Sequence, residues 1–163
     1  MANQLPIATA DDILNELEAL VTLFTDAFPD AQIVRQNIPR EPQPDTFVIA
    51  FQSANTETET ALSYVNTREW QIIYVSGTSE SDSANVLRAL GSAEKLLVGN
   101  PRMVIPINDG SLRYMRISGY STSQVAELED GNKAGLAILQ TEVRKARDLP
   151  TYEKIMETGV RRG

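Results

Sequence analysis

The strongest constraint on the fold is a stripe near the N-terminus. Ile13, Leu17, Leu20, Val21, Phe24 and Phe28 recur at steps of three and four, with one step of one, which places them along one side of a helix. The remainder of that segment is acidic, with Asp11, Asp12, Glu16, Glu18 and Asp26 and no Lys or Arg. Thr9-Ala10-Asp11-Asp12 supplies an N-cap and an acidic first turn that favours the helix dipole, and Pro29 ends the run after Phe28. The stripe predicts a helix packed on a sheet, with a partner-binding helix as the alternative.

The rest of the chain supplies the strands. Residues 32–37 can form a short one, after which Pro39, Pro42 and Pro44 make a stiff, extended connection. Residues 46–51 and 61–75 are rich in β-branched and aromatic side chains and read as an antiparallel pair separated by the polar stretch 53–58. A polar breaker at 77–82 precedes Val86, Leu87, Leu90, Leu96 and Leu97, which predict a second helix that Gly91 splits or ends. Strands return at 104–107 and 112–124 around Asn108-Asp109-Gly110, a hairpin signal, and a second such turn lies at Glu129-Asp130-Gly131-Asn132. Residues 135–147 consist largely of helix formers, yet Ala137, Leu139, Thr141 and Val143 alternate and follow an Asp-Gly turn, so a returning strand is expected. A short helix over 150–156 and a basic tail at 159–163 close the chain. The expected class is α+β: a mostly antiparallel sheet flanked by an N-terminal helix, a central helix and a short C-terminal helix. At 163 residues one domain over 1–163 is expected, with flexible ends at 1–8 and 158–163 and an extended hairpin or arm over 108–134.

Chemistry is bounded by what is missing. The chain has no Cys and no His, which removes disulfides, thiolate nucleophiles, imidazole acid–base catalysis and zinc sites built on either residue. No Gly-rich phosphate loop, dinucleotide fingerprint or Gly-x-Ser-x-Gly elbow occurs, and neither a metal nor a cofactor is expected. Serines abound at Ser121 and Ser123, but a Ser–Lys dyad cannot be recognised from their spacing. Twenty-two carboxylates could include a catalytic pair, which only spatial separation would reveal. Glu127, Glu129 and Asp130 beside Gly131 lack the ligand alternation of a calcium loop and read as a polar turn. Trp70, Ile72 and Tyr74 share one face of a strand, as core or as an aromatic interface.

Charge is uneven. The net is −7, and residues 1–60 hold only Arg35 and Arg40 against ten carboxylates. Cations gather late, at Arg144, Lys145, Arg147, Arg161 and Arg162. Such a balance disfavours sequence-specific nucleic-acid binding, and the longest apolar runs fall short of a membrane span. The start of the chain lacks the basic and apolar regions of a signal peptide, so a cytoplasmic site of assembly is expected.

The order of these features resembles the phage tail terminator (tail completion) family of long-tailed bacteriophages. The carriers are the amphipathic helix ending in Phe28-Pro29-Asp30, the extended Pro42-Gln43-Pro44-Asp45-Thr46-Phe47-Val48, the strand Trp70-Gln71-Ile72-Ile73-Tyr74-Val75, the helix over Val86, Leu87 and Leu90, and the late Asp-Gly hairpins. The resemblance covers most of the chain, and 108–132 is longer than usual for the family. It implies a non-enzymatic virion subunit of the tail and neck, forming a ring, typically a hexamer. Such a ring caps the tail tube, stops its growth and docks the head connector. The implied partners are further copies, the tail tube protein, a stopper or connector, and the sheath of a contractile tail, with DNA passing through the lumen. Candidate interface residues are Asp11, Asp12, Glu16, Tyr120, Asp130, Arg144, Lys145, Arg147, Arg161 and Arg162, with the acidic N-terminal part of one copy meeting the basic C-terminal strand of the next or lining the lumen. The alternatives are another neck protein (a head-completion stopper or head–tail adaptor), a carboxylate-dependent hydrolase, and a small-ligand or regulatory binding domain.

Overall fold

The structure is a computed structural model that describes residues 10–101 and 104–147. Its elements are α1 (Asp12–Ala27), β1 (Gln32–Arg35), β2 (Thr46–Thr58), β3 (Ser63–Val75), α2 (Asp82–Leu97), β4 (Val104–Pro106), β5 (Tyr114–Thr122), β6 (Ala126–Glu127) and β7 (Lys133–Ala146). The strands form one mixed, mostly antiparallel, curled sheet in the order β1-β2-β3-β7-β5-β4, with β6 beside β7. Among the described strands only β1 and β2 run parallel. This is the α+β architecture that the alternation of periods predicts. The closing helix expected at 150–156, and the ends 1–8 and 158–163, lie outside the described residues.

Both helices lie on one face of the sheet. Across it runs the row Phe51, Trp70, Leu139 and Tyr120, and beside it the row Ile49, Ile72 and Ala137. Leu17, Leu20, Val21 and Phe24 of α1 and Val86, Leu90, Ala93 and Leu97 of α2 close over these rows to form one core. Each fully buried large side chain there stabilises the fold by ~1.5–3 kcal/mol. At the end of α1 the rings of Phe24, Phe28, Phe47 and Tyr74 pack at centroid separations of 4.8 to 5.7 Å. Trp70 belongs to the core reading, for it is buried and its indole Nε1 donates to Thr141 Oγ1 at 2.9 Å. α2 can approach β7 because Gly135 carries no side chain; a Cβ there would lie 2.5 Å from Val86 Cγ1.

The segment expected as a returning strand at 135–147 is strand through Ala146, and Ala137, Leu139, Thr141 and Val143 are the buried alternation. Burial against two helices outweighs the helix propensity of its residues. Three expectations need correction. The polar residues 53–58 do not separate two strands but extend β2, and the turn comes at 59–62, because cross-strand bonds such as Thr56 Oγ1 to Asn66 Oδ1 (2.7 Å) satisfy them. Gly91 neither splits nor ends α2, since it faces open space on a helix held elsewhere by its buried stripe. Leu87, grouped with the apolar stripe, is exposed. Two bulges, at 51–53 in β2 and 117–119 in β5, switch which alternate residues face the helices. On β5 the inward set therefore changes from Met115 and Ile117 to Tyr120.

Candidate subunit-contact surface

The helix-bearing face ends in charge, not in apolar side chains. Glu16 on α1 is 1% exposed and Arg68 on β3 is 5% exposed, and they meet with Arg68 Nε 3.3 Å from Glu16 Oε1 and Nη2 3.4 Å from Oε2. The Nε to Oε1 approach is close enough for an ion pair but is not aligned as a hydrogen bond, so both atoms lack a well-formed bond. Burial pushes the Glu16 carboxyl up, and the Arg68 guanidinium opposes that shift. One turn earlier Asp12 pairs with the buried Lys145 of β7, and Arg113 Nη2 lies 3.7 Å from the same carboxylate. The Lys145 ammonium beside Asp12 holds its carboxyl below the usual range.

These contacts alter the expected interface. Glu16 and Lys145 are corrections: each is enclosed within its own chain, where burial without a partner would cost several kcal/mol (~3–5). Asp12 is likewise engaged in its own chain, leaving Asp11 as the exposed acid at the start of α1. Arg147 is tied to the β2–β3 turn, donating to Thr58 Oγ1 at 3.0 Å and Thr60 O at 3.3 Å, with its guanidinium over the Tyr64 ring. Tyr120 is half-buried, donates to Leu90 O at 2.8 Å, and has its phenol pushed up to about 12 by burial. Asp130 is exposed and caps its own turn by accepting from Asn132. Arg161 and Arg162 lie outside the described residues.

Arg144 keeps its expected exposure, and it does so on the sheet face opposite the helices. It donates through Nε and Nη2 to Glu59 Oε2 at 3.1 and 2.8 Å, which holds the Glu59 carboxyl below its ordinary value. Alternation places Val65, Arg116, Glu142 and Arg144 together on this outer face, and Leu112, Arg113 and Tyr114 complete a shallow depression of about 360 Å³. Leu112 is 99% exposed and Tyr114 54% exposed. Arg116 lies 3.9 Å from Glu142, a weak surface pair. Leu112, Tyr114 and Arg116 were not among the expected contacts. Two signals mark them: an apolar residue directly after Asp109-Gly110-Ser111, and large side chains alternating with the buried Met115 and Ile117.

A second concavity, about 640 Å³, lies between the two helices over Phe28, Phe47, Tyr74, Asp82 and Arg88. Its polar groups are mutually satisfied. Tyr74 donates to Asp45 at 2.7 Å, and burial pushes its phenol up. Asp82 accepts from the hydroxyls of Ser76 and Ser79 and from Asn85, which together hold its carboxyl far below the usual range. A carboxylate held ionised in this way cannot serve as a general acid near neutrality. Glu16, whose carboxyl is raised, is enclosed in the core and cannot meet a substrate. The concavity therefore offers little to a two-carboxylate hydrolase. No described helix is long and apolar enough to cross a membrane. No protein-family model and no curated protein matches the chain at a significant level.

Proposed function

We propose that this chain is a structural assembly subunit, and that it acts as a tail terminator of a long-tailed phage: a ring that caps the tail tube and presents a docking surface to the head connector. The observation that carries the reading is the outer face of the sheet. Leu112 and Tyr114 stand exposed beside Arg116 and Arg144, and tyrosine and arginine are residue types enriched at protein interfaces. Covering Leu112 fully would contribute ~1.5–3 kcal/mol to an assembly. Among the described residues, Asp82 is held ionised by its hydrogen bonds and Glu16 is enclosed in the core, so neither offers a general acid to a carboxylate-dependent hydrolase. The order of elements fits the family resemblance, and the long antiparallel strands give a stiff body for stacking.

The test is the mass of the purified protein in solution, followed by negative-stain imaging with and without magnesium and by binding to isolated tail tubes. A closed ring of about six subunits, or closure on the tube tip, is the expected result. A monomer that also ignores tail tubes would remove the reading. A stopper or adaptor would instead bind the head connector without binding the tube.

A further inference from the structure

Resting on the assembly reading, we propose that residues 149–156 of this chain cover the outer-face depression around Leu112 and Tyr114 of their own copy, and that an assembly partner must displace them. Charge does not select the occupant. Within the chain Arg144 is answered by Glu59, Arg116 by Glu142, and Arg113 by Asp109. What stays unmet is apolar area: Leu112 is 99% exposed and Tyr114 54% exposed, with Val65 in the same lining. A depression of about 360 Å³ takes a few large side chains, not a folded domain.

The chain leaves the sheet beside this depression. Arg144 lines it, and Arg147, three residues on, is fixed at the β2–β3 turn: its N–H donates to Leu62 O at 2.8 Å and its guanidinium to Thr58 and Thr60. Three strand residues span about 10 Å. The five steps from Arg147 to Tyr152 reach at most ~18 Å, so the segment that follows Arg147 meets the depression of its own chain first. Its sequence supplies what that surface lacks. Tyr152, Ile155 and Met156 stand at i, i+3 and i+4 on the helix expected over 150–156, Leu149 comes three residues before Tyr152, and Glu153, Lys154 and Glu157 fall between or after them. The rival target at the same end of the molecule is Leu14 of α1, 56% exposed on the helix side, where Asp12 meets Lys145. Leu14 offers one side chain on a convex helix, whereas the depression offers Leu112 and Tyr114 together in a concavity.

The experiment uses the full chain, which has no cysteine, so introduced pairs report without background. Leu112→Cys combined with Tyr152→Cys is expected to give an intrachain disulfide under mild oxidation at low protein concentration, read by non-reducing electrophoresis and peptide mass. Leu14→Cys and Leu87→Cys, both on the helix side, are expected to give little with the same partner. Links between chains at Leu112→Cys would overturn the proposal in favour of a segment exchanged between copies. Preferential linkage to Leu14→Cys, or no linkage at all, would overturn it as well. The second arm reads displacement: Tyr152→Asp/Ile155→Asp changes no described residue and is expected to tighten self-association about tenfold by uncovering Leu112 and Tyr114. Unchanged or weaker association would overturn the competition between segment and partner. An intrachain disulfide in a chain that never self-associates, with or without these substitutions and even on tail tubes, would keep the covered depression and remove the assembly reading.

Discussion

Replacing Arg68 with Met tests the account of the buried charge at the edge of the core. Methionine keeps much of the aliphatic stem and removes the guanidinium, leaving Glu16 at 1% exposure without its main partner. Breaking a buried pair in this way costs ~3–5 kcal/mol. The lower end applies here, because the contacts of 3.3 and 3.4 Å are long for a charge-assisted bond and Lys145 still lends Glu16 some positive potential. About 3 kcal/mol is a fifth or more of the ~5–15 kcal/mol expected for a domain. The sign of the pH dependence follows from the raised carboxyl. A group with a folded pKa above its ordinary value of 4.5 favours the fold below that value, and the benefit is lost as pH rises through the folded pKa. Without Arg68 the carboxyl rises further, so the variant should approach wild type near pH 4.5 and show the full deficit at about pH 7.5. Urea unfolding at both pH values, with m compared between proteins, reads the difference. A deficit under ~1 kcal/mol at the higher pH, or the same deficit at both, would refute the reasoning. The double variant Glu16→Leu/Arg68→Met should return to within ~1 kcal/mol of wild type, because no charge remains buried.

Two further changes probe how α2 is seated. Gly135→Ala should destabilise by ~1–3 kcal/mol, since its Cβ would stand 2.5 Å from Val86 Cγ1 and 2.8 Å from Leu90 Cδ1, and adding Val86→Ala should recover part of the loss in thermal melts. Equal stability of Gly135→Ala and wild type would mean that α2 shifts freely. Asp82→Ala should lower the melting temperature at neutral pH and flatten the acid limb of the stability curve. The depressed Asp82 carboxyl favours the fold above its ordinary value of 3.8, and that contribution disappears as pH falls through the folded pKa, so a parallel acid limb in the variant would contradict it.

How far the sequence reveals the structure depends on whether a residue's role is periodic. The stripe of α1, the strand containing Trp70 and the two Asp-Gly hairpins follow from period and turn chemistry, and all stand where those signals place them. The run 53–58 misleads because a polar strand and a polar loop have the same composition; what makes it strand is the facing edge of β3, a contact distant in sequence. Bulges at 51–53 and 117–119 are harder still, since each reverses the alternation from which burial is inferred. The exposed set at 112–116 becomes visible only when Met115 and Ile117 are assigned to the core and the residues between them to the other face.

Pairing of charges was beyond pattern altogether, and it changes what the uneven distribution means. Read along the chain, acids precede cations, which invites the acidic part of one copy to meet the basic strand of the next. In the folded chain, partners 52 to 133 residues apart already meet: Glu16 with Arg68, Glu59 with Arg144, and Asp12 with Lys145. Ion pairing at the inner end of α1 neutralises its buried acids, so the charge left for partners is the part that points outward. On the outer face Glu59 already answers Arg144 and Glu142 stands 3.9 Å from Arg116, while Arg35 answers Glu18 on α1, so neither surface carries a free block of one sign. A chain of net charge −7 therefore repels its own copies at long range, and self-association must rest on exposed apolar groups such as Leu112 and Tyr114. Screening should then hold or tighten self-association as salt rises, and a loss of association at high salt would refute that balance.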